Sequence, residues 1–329
     1  EETGPGEEGF SLGESELSVS ANIDPDWYGQ LTVALTGGGE VEVENAFVQS
    51  TGLGNGLTVR AGRFFSGIGY LNEQHAHTWD FVDAPLAYRA LLGNQLGDDG
   101  VQVRWVAPTA LYTELGAEWL RGDAFPAGGS ANDGRGTWSA FLHVGDDLNE
   151  SHSWRAGIAY LSTESAERMT ESEAGEDLFT GDSDLIIADF VWKWAPNGNS
   201  YDRSLKLQAE YIRRQDDGEF TPAGGSAATL DTASNGWYAQ AVYQFVHGWR
   251  VGFRHDHLQT DEPGAVFAGT VLDTQGHDPS RNSLMVDYAH SEFSRVRLQF
   301  NRDESTSDAD NQWFLQYQMS LGAHGAHQF

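Results

Sequence analysis

The chain has 329 residues, with 49 acidic and 19 basic side chains, a formal net charge of -30 and no cysteine. The absence of cysteine excludes disulfide scaffolds, thiolate metal sites and cysteine nucleophiles. Affinity for nucleic acid depends on clustered basic side chains, and this sequence contains only two lysines, Lys193 and Lys206. No nucleic-acid partner is therefore expected.

The apolar residues do not form a membrane-spanning helix, because no apolar run approaches the ~20 residues that such a helix needs. A chain can also cross lipid as a closed barrel of tilted strands of about 9–11 residues each. In such strands apolar and polar residues alternate, which keeps the mean hydropathy modest, and its value here is -0.46. A barrel would therefore show as repeated alternation along the chain.

Segments in which every second residue is apolar recur throughout the sequence. The last one is the clearest, since Leu315, Tyr317 and Met319 alternate with glutamine and serine, as the two faces of a strand require. These segments predict about fifteen strands in one domain over residues 1–329, because no linker divides them. In chain order they lie near residues 17–23, 31–35, 41–43, 57–61, 101–105, 115–119, 138–144, 154–160, 186–194, 205–211, 237–245, 249–253, 284–288, 296–300 and 313–321.

Tryptophans lie near the ends of many of these segments, which is typical of the aromatic girdles of an outer-membrane barrel. The cores of soluble sandwiches are usually aliphatic and contain few residues of this size. The pattern favours an all-β, transmembrane antiparallel barrel in the outer membrane of a Gram-negative bacterium, with lipid and lipopolysaccharide as its surroundings. A soluble β-sandwich binding protein is the alternative. The tryptophans are Trp27, Trp105, Trp119, Trp138, Trp154, Trp194, Trp237, Trp249 and Trp313.

Short and long connections alternate along the chain, as periplasmic turns and extracellular loops do in such barrels. Long loops are expected near residues 66–97, 122–136, 164–183, 216–235, 258–280 and 303–311. The segment Glu164–Asp184 carries eight acidic side chains and one basic one, Arg168, and is interpreted as a solvated loop or a cation-collecting vestibule. Bacterial barrels normally have an even number of strands, so a missing strand or a periplasmic segment is expected before residue 1.

Three motifs resemble one family of channels. They are the block Leu57–Asn72 (LTVRAGRFFSGIGYLN), the segment Trp79–Leu86 (WDFVDAPL) and Asp99–Val103 (DGVQV). This part of the chain resembles the phosphate-selective porin O/P-like group of Gram-negative outer-membrane channels. The resemblance implies a barrel of sixteen strands, often a homotrimer, with a loop folded inward at mid-channel.

In each predicted strand, the residues that alternate with the apolar ones would face the pore, and they include both acidic and basic side chains. A phosphate path requires cationic side chains at close range, whereas here acidic and basic groups nearly cancel. The opposed charges predict a transverse field that orders water and dipolar solutes. The predicted pore-lining residues are Glu42, Glu44, Arg60, Arg104, Glu114, Glu118, Arg155, Asp189, Lys193, Lys206, Glu210, Arg250, Arg254, Asp287, Arg295 and Arg297.

The segment Ser66–Gly97 is expected to fold into the lumen and set the constriction, although a loop that covers the outer mouth is an alternative. A short helix is predicted over Ala84–Leu92, capped by Asp83 and begun by Pro85. The candidate constriction residues are Glu73, His75, His77, Asp80 and Arg89. Of these, His75, His77 and Asp80 are also candidate ligands of a metal, zinc or calcium, although histidines two residues apart serve equally well as hydrogen-bonding groups.

These patterns predict a passive outer-membrane channel for small hydrophilic solutes or ions that requires no cofactor. An enzyme is not expected, because His143 is not accompanied by a Gly-x-Ser-x-Gly nucleophile motif. The alternatives are a metal-uptake channel that uses the loop histidines, the soluble sandwich, and a structural or adhesive barrel.

Overall fold

The computed structural model describes residues 8–13, 15–35, 39–172 and 175–322. Within these residues, fifteen strands form one sheet in chain order, and each strand is antiparallel to its neighbours. No helix in this part of the chain is long and apolar enough to cross a membrane. The strands are β1 (Ser15–Asn22), β2 (Trp27–Leu35), β3 (Val41–Ser50), β4 (Leu57–Phe65), β5 (Gly97–Val106), β6 (Tyr112–Leu120), β7 (Thr137–Asn149), β8 (His152–Ser172), β9 (Gly175–Trp194), β10 (Ser204–Thr221), β11 (Ala228–Val246), β12 (Trp249–Thr260), β13 (Ser280–Ser291), β14 (Ser294–Glu304) and β15 (Asp310–Met319).

The outer face of the sheet is apolar and exposed. Along β12, Trp249, Val251 and Phe253 are 41% to 46% exposed, whereas the inward Arg254 is 1% exposed. The same alternation continues in β14, where Leu298 is exposed and its neighbour Arg297 is buried. A folded protein does not leave such a continuous apolar surface in water, so lipid is its natural solvent. Apolar residues of these strands thus face outward and charged residues face inward, while the pore-lining assignment stays a prediction.

Aromatic rings mark both borders of this apolar surface. Trp249 packs against Tyr288 with ring centroids 4.8 Å apart, close to the short turns. Near the other border, the ring of Trp237 lies 5.3 Å from that of His255 and 6.0 Å from that of His257. Rings with a polar edge prefer the boundary between hydrocarbon and water, which explains their positions.

The sheet curves until its first and last strands reach the same residue. Glu16 in β1 contacts His77 with Oε1 2.7 Å from Nδ1. Gln318 in β15 donates a hydrogen bond of 2.9 Å to the carbonyl oxygen of His77. Both edge strands run in the same direction, because fifteen antiparallel strands alternate. The sheet therefore encloses a lumen, and the sixteenth strand stays a prediction.

Two of the expected long loops are strands instead. The segments 164–183 and 216–235 belong largely to β8–β9 and β10–β11, whose strands are 18 to 21 residues long. Strands of about 9–11 residues suffice to span a bilayer, so these four project beyond it as two ribbons. Loop assignment from polar composition was wrong here, because in water the outer face of a strand is polar. On the inner face of these ribbons, Phe179, Phe220 and Leu230 pack with Phe267, which lies in the loop between β12 and β13.

The lumen contains a short helix, α1 (Leu86–Leu92). Its Tyr88, Leu91 and Leu92 pack with inward apolar residues of the wall such as Phe141 and Ile187. The helix ends at Gly93, whose φ of 61° is easily adopted by glycine. Asp83 does not cap the helix, contrary to the prediction, since Pro85 occupies the N-cap position and makes no side-chain cap bond.

Replacing Leu298 by arginine tests whether lipid covers the outer face. Leu298 lies in the middle of β14, so Leu298→Arg should destabilise the protein folded in lipid vesicles by about 2–4 kcal/mol. Met319, at the end of β15, is the matched control, and Met319→Arg should cost about 0–1 kcal/mol. Denaturant unfolding in vesicles measures both values, and equal small costs would contradict a lipid-covered surface.

Candidate pore constriction

The segment between β4 and β5, residues 66–96, enters the lumen and is held there by buried carboxylates. The first is Glu118 of β6, which accepts hydrogen bonds from the Ser66 hydroxyl and from the backbone N–H of Gly67 at 2.8 Å. Gln102 and Ser139 also donate to Glu118, each at 2.6 Å. The entry of the loop is thus fixed to β6.

The second carboxylate is Glu210 of β10, four strands along the wall from β6. It accepts the backbone N–H of Tyr70 at 2.9 Å and that of Leu71 at 3.0 Å. The hydroxyl groups of Tyr88 and Tyr238 donate to the same carboxylate. The carboxylate and its four donors are all shielded from water, so an unpaired member would carry a desolvation penalty.

The backbone approaches Glu210 closely because Gly69 carries no side chain. A Cβ at Gly69 would lie 2.5 Å from the Glu210 carboxylate and 2.6 Å from the Tyr88 hydroxyl. Its φ of 69° is also in the left-handed region, which favours glycine. Gly69 thus permits the contact.

Two carboxylates of the loop itself form ion pairs with the wall. Asp80 pairs with Lys206 and with Arg250, whose Nη1 lies 3.0 Å from Oδ1. Asp83 lies 2.9 Å from guanidinium nitrogens of both Arg254 and Arg281. Burial alone would raise the pKa of each carboxyl, but the facing cations outweigh it and hold both pKa values well below their usual range.

Backbone carbonyl groups of the loop use further wall residues. Arg297 donates to the carbonyl oxygen of Trp79 at 2.8 Å, and Arg295 donates to that of His77 at 3.0 Å. The Arg254 guanidinium likewise donates to the Asp83 carbonyl at 2.8 Å. The wall arginines predicted to face solute therefore hold the loop, while Asp287 holds Arg250 at 2.6 Å.

On the opposite side of the loop, Glu73 pairs with Arg104 of β5. Arg104 also faces Glu114 at 3.6 Å, and the Nδ1 of His143 lies 3.0 Å from the same carboxylate. His143 thus shares the Glu114 carboxylate with Arg104. The expectation that the chain is not an enzyme stays a prediction. Arg89, the remaining candidate for the constriction, lies half-buried on α1.

Other predicted lining residues contact the wall itself or the loop rings. The Arg155 guanidinium lies 5.3 Å from the centre of the Tyr70 ring. Arg60 donates to Gln49 at 2.8 Å and 3.0 Å. Glu42 is exposed near the start of β3, and in register it faces the inward residue Ala34. The assignment of these residues to the solute path stays a prediction.

A cavity of about 500 Å³ lies on the turn side of the loop. Its lining includes Lys193, Lys206 and Arg250 and, opposite in charge, Asp80 and Glu150. The cavity therefore joins the end of the barrel at the short turns to the Asp80 ion pairs.

Asp189, also predicted to line the pore, lies against Gly157 of the neighbouring strand β8. A Cβ at Gly157 would lie 2.0 Å from Asp189 Oδ2, so the glycine leaves room for this carboxylate.

The loop histidines meet the first strands. His75 Nδ1 lies 2.8 Å from Glu44 Oε2 and 3.5 Å from Glu16 Oε2, while His77 Nδ1 lies 2.7 Å from Glu16 Oε1. Burial lowers the pKa of His75, but the Glu44 hydrogen bond and both carboxylate charges outweigh it and raise the pKa overall. Asp80 was expected to join these histidines, but its ion pairs hold it elsewhere, so this ligand assignment is corrected.

Several residues that hold the loop were not identified from sequence: Asp83, Arg281, Gln299, Asn301 and Glu16. Arg281 could have been found, because the inward parity of Asp287 extends back along β13 to it. Asp83 was assigned to the helix cap because it precedes Pro85. Its actual partners include Gln299 at 2.7 Å and Asn301 at 2.9 Å, which no local pattern indicates.

Comparisons with known proteins agree with the barrel. No protein-family model matches the chain. An uncharacterized protein of Aquifex aeolicus (strain VF5) is 31% identical over 339 residues, which cover 98% of this chain and 70% of that protein. Nothing in these matches confirms the phosphate-selective porin O/P-like family.

Solved structures of outer-membrane proteins share the fold. The outer membrane channel DcaP of Acinetobacter baumannii has a TM-score of 0.59 at 12% identity, covering 94% of this chain and 85% of that one. OprB of Pseudomonas putida has a TM-score of 0.57 at 13% identity, with 94% and 87% covered. OmpT of Vibrio cholerae, in its trimer form, has a TM-score of 0.58 at 13% identity, with 94% and 92% covered. The fold is that of outer-membrane porin barrels.

Replacing Asp83 by asparagine tests the attachment of the loop. Asp83→Asn removes the charge that faces Arg254 and Arg281, and an unmatched buried charge costs about 3–5 kcal/mol. We expect a lower free energy of unfolding and faster hydrogen exchange of the α1 amides. Asp278→Asn, at an exposed aspartate, is the control and should leave both unchanged. Unaltered exchange of α1 in Asp83→Asn would show that the loop is held by other contacts.

Proposed function

The chain belongs to the family of the uncharacterized Aquifex aeolicus protein, and we propose that it is a passive outer-membrane channel of a Gram-negative bacterium. Small hydrophilic solutes or ions would pass through it down their gradients. The observation that carries this proposal is the loop 66–96, which narrows a polar lumen and is anchored to walls on both sides. A fixed constriction limits the size of a solute without any need for energy.

The charges at the constriction support a general channel rather than a phosphate path. An anion that leaves water needs a cation that is not already neutralised. Here Lys206 and Arg250 face Asp80, and Arg250 also faces Asp287. Arg254 and Arg281 face both Asp83 and Asp256, so four cations meet four carboxylates. We therefore expect weak charge selectivity, and the phosphate selectivity suggested by the sequence motifs is not part of the proposal.

The outer surroundings of the barrel follow from its two surfaces. The apolar band takes lipid, and the acidic ribbon β8–β9 projects into the region where lipopolysaccharide lies in an outer membrane. Divalent cations would bridge the acidic side chains of the ribbon and the acidic groups of lipopolysaccharide. The acidic residues of this ribbon are Glu164, Glu167, Glu171, Glu176, Asp177, Asp182 and Asp184.

A homotrimer is the proposed assembly. The trimer form of Vibrio cholerae OmpT, which shares the fold, supports it. Sedimentation of the detergent-solubilised protein should give three times the mass of one chain after correction for bound detergent. A mass of one chain would contradict the assembly and leave the channel itself unaffected.

Conductance across a planar lipid bilayer tests the channel. The refolded protein should produce discrete, ohmic current steps in potassium chloride and a reversal potential close to zero in a salt gradient. Liposome swelling with sugars of increasing size should show a sharp size limit. A correctly folded protein that gives neither current nor swelling would contradict the proposal and favour a structural barrel.

Replacing Asp80 by asparagine tests which charges act at the constriction. Asp80→Asn leaves Lys206 and Arg250 with one carboxylate fewer beside the cavity, so the reversal potential in a potassium chloride gradient should shift towards anion selectivity. Glu292→Gln removes an exposed charge from the β13–β14 turn and serves as the control, with no shift expected. If Asp80→Asn folds and shows the reversal potential of the unmodified protein, the solute path does not pass this ion pair.

A further inference from the structure

The histidine cluster differs in chemistry from the other contacts that hold the loop. Asp80 and Asp83 face lysine and arginine, whereas the ion pairs of Glu16 within the described residues are with His75 and His77. Arginine and lysine keep their charge and do not bind metals, whereas an imidazole without its second proton is a good metal ligand. The cluster therefore combines carboxylate oxygens with imidazole nitrogens in one place.

The geometry of these donors suits a single ion. One ligand atom each of Glu16, His75 and His77 lies within 4.8 Å of the others. Zinc bonds to imidazole nitrogen and carboxylate oxygen are about 2.0–2.2 Å long, so ligand atoms around one ion are roughly 3–4 Å apart. Small side-chain rotations would bring all three to that spacing. Glu44, 2.8 Å from His75 Nδ1, is placed to supply a fourth ligand.

From this arrangement we propose that Glu16, His75 and His77, with Glu44, form a binding site for a divalent transition metal of the zinc class. Two neutral imidazoles and two carboxylates carry a net charge of -2, which matches a divalent cation. Calcium fits poorly, because it takes six to eight oxygen ligands and has little affinity for imidazole nitrogen.

The surroundings of His75 provide a supporting contact. Its Nε2 lies 2.8 Å from the amide of Asn45, which is 5% exposed. A histidine that binds a metal through Nδ1 carries its proton on Nε2 and donates it to an acceptor. Rotation of the Asn45 amide by half a turn presents its oxygen there, since the two ends of an amide are nearly equal in shape. Asn45 can therefore hydrogen-bond to His75 Nε2 both with and without a metal ion on Nδ1.

The position of the site suggests what the metal does. His77 also accepts hydrogen bonds from Arg295 of β14 and Gln318 of β15 through its carbonyl oxygen. An ion held by Glu16 and the two histidines would therefore join the loop to β1 and β3, beside the last strand. It would act as a cross-link where the first and last strands approach each other, and the solute path is not involved.

Zinc titration of the full chain in detergent, after treatment with a chelator, tests the proposal. Calorimetry should show one zinc ion per chain, and His77→Ala and Glu16→Gln should each weaken binding by at least about tenfold. His290→Ala, which removes an exposed histidine elsewhere, is the matched control and should bind zinc normally. Absence of saturable binding, equal binding of calcium, or unchanged affinity in both cluster variants would overturn the proposal.

X-ray absorption of the zinc-loaded, unmodified protein tests the ligands without any substitution. We expect two imidazole nitrogens and one or two oxygens at about 2.0–2.2 Å from zinc. A coordination shell without imidazole would overturn the site even if the variants fail to fold. Conductance enters neither measurement, so the outcome is independent of the channel proposal.

Discussion

Polar pairing inside the lumen is the constraint on which the structure depends. A loop of about thirty residues that folds into a barrel brings backbone N–H and C=O groups and several charges away from bulk water, where unpaired groups are costly. Glu118 and Glu210 accept N–H groups of the loop, and wall arginines donate to its carbonyl oxygens. The inward face of the sheet is polar for this reason, and the loop has one position in which these groups are matched.

The outward face is governed by the opposite requirement. Residues such as Val251 and Phe253 stand exposed beside inward residues of the same strand that take part in ion pairs. Period-two alternation satisfies both requirements at once, because successive side chains point to opposite faces. Where β8–β11 leave the apolar band, the demand on the outward face changes from apolar to polar. The strands continue there, with one register shift between Ser165 and Arg168 of β8.

This change from an apolar to a polar outer face explains which strands could be recognised from the sequence and which could not. Strands with Trp, Leu and Tyr on one face, such as 313–321, were found because lipid demands a strong pattern. The ribbons over 164–183 and 216–235 were missed, because a strand in water on its outer side has the composition of a loop. Entry of the loop into the lumen was predicted from length and motif. Its partners were predicted only in part, since Asp83 meets residues more than 160 positions away, at Arg254 and Arg281.

The attachments of the loop fall into two chemical classes, and this division bears on how the barrel holds together. Towards β10–β14 the loop is held by arginine and lysine, whose charge does not change at physiological pH. Towards β1 and β3 the described contacts run through the imidazoles of His75 and His77, which face the carboxylates of Glu44 and Glu16. β1 is the first strand of the sheet and has one paired neighbour, while β3 lies two strands further in. The loop is therefore held by permanent charges along β10–β14 and by imidazole contacts on the side of the first strands.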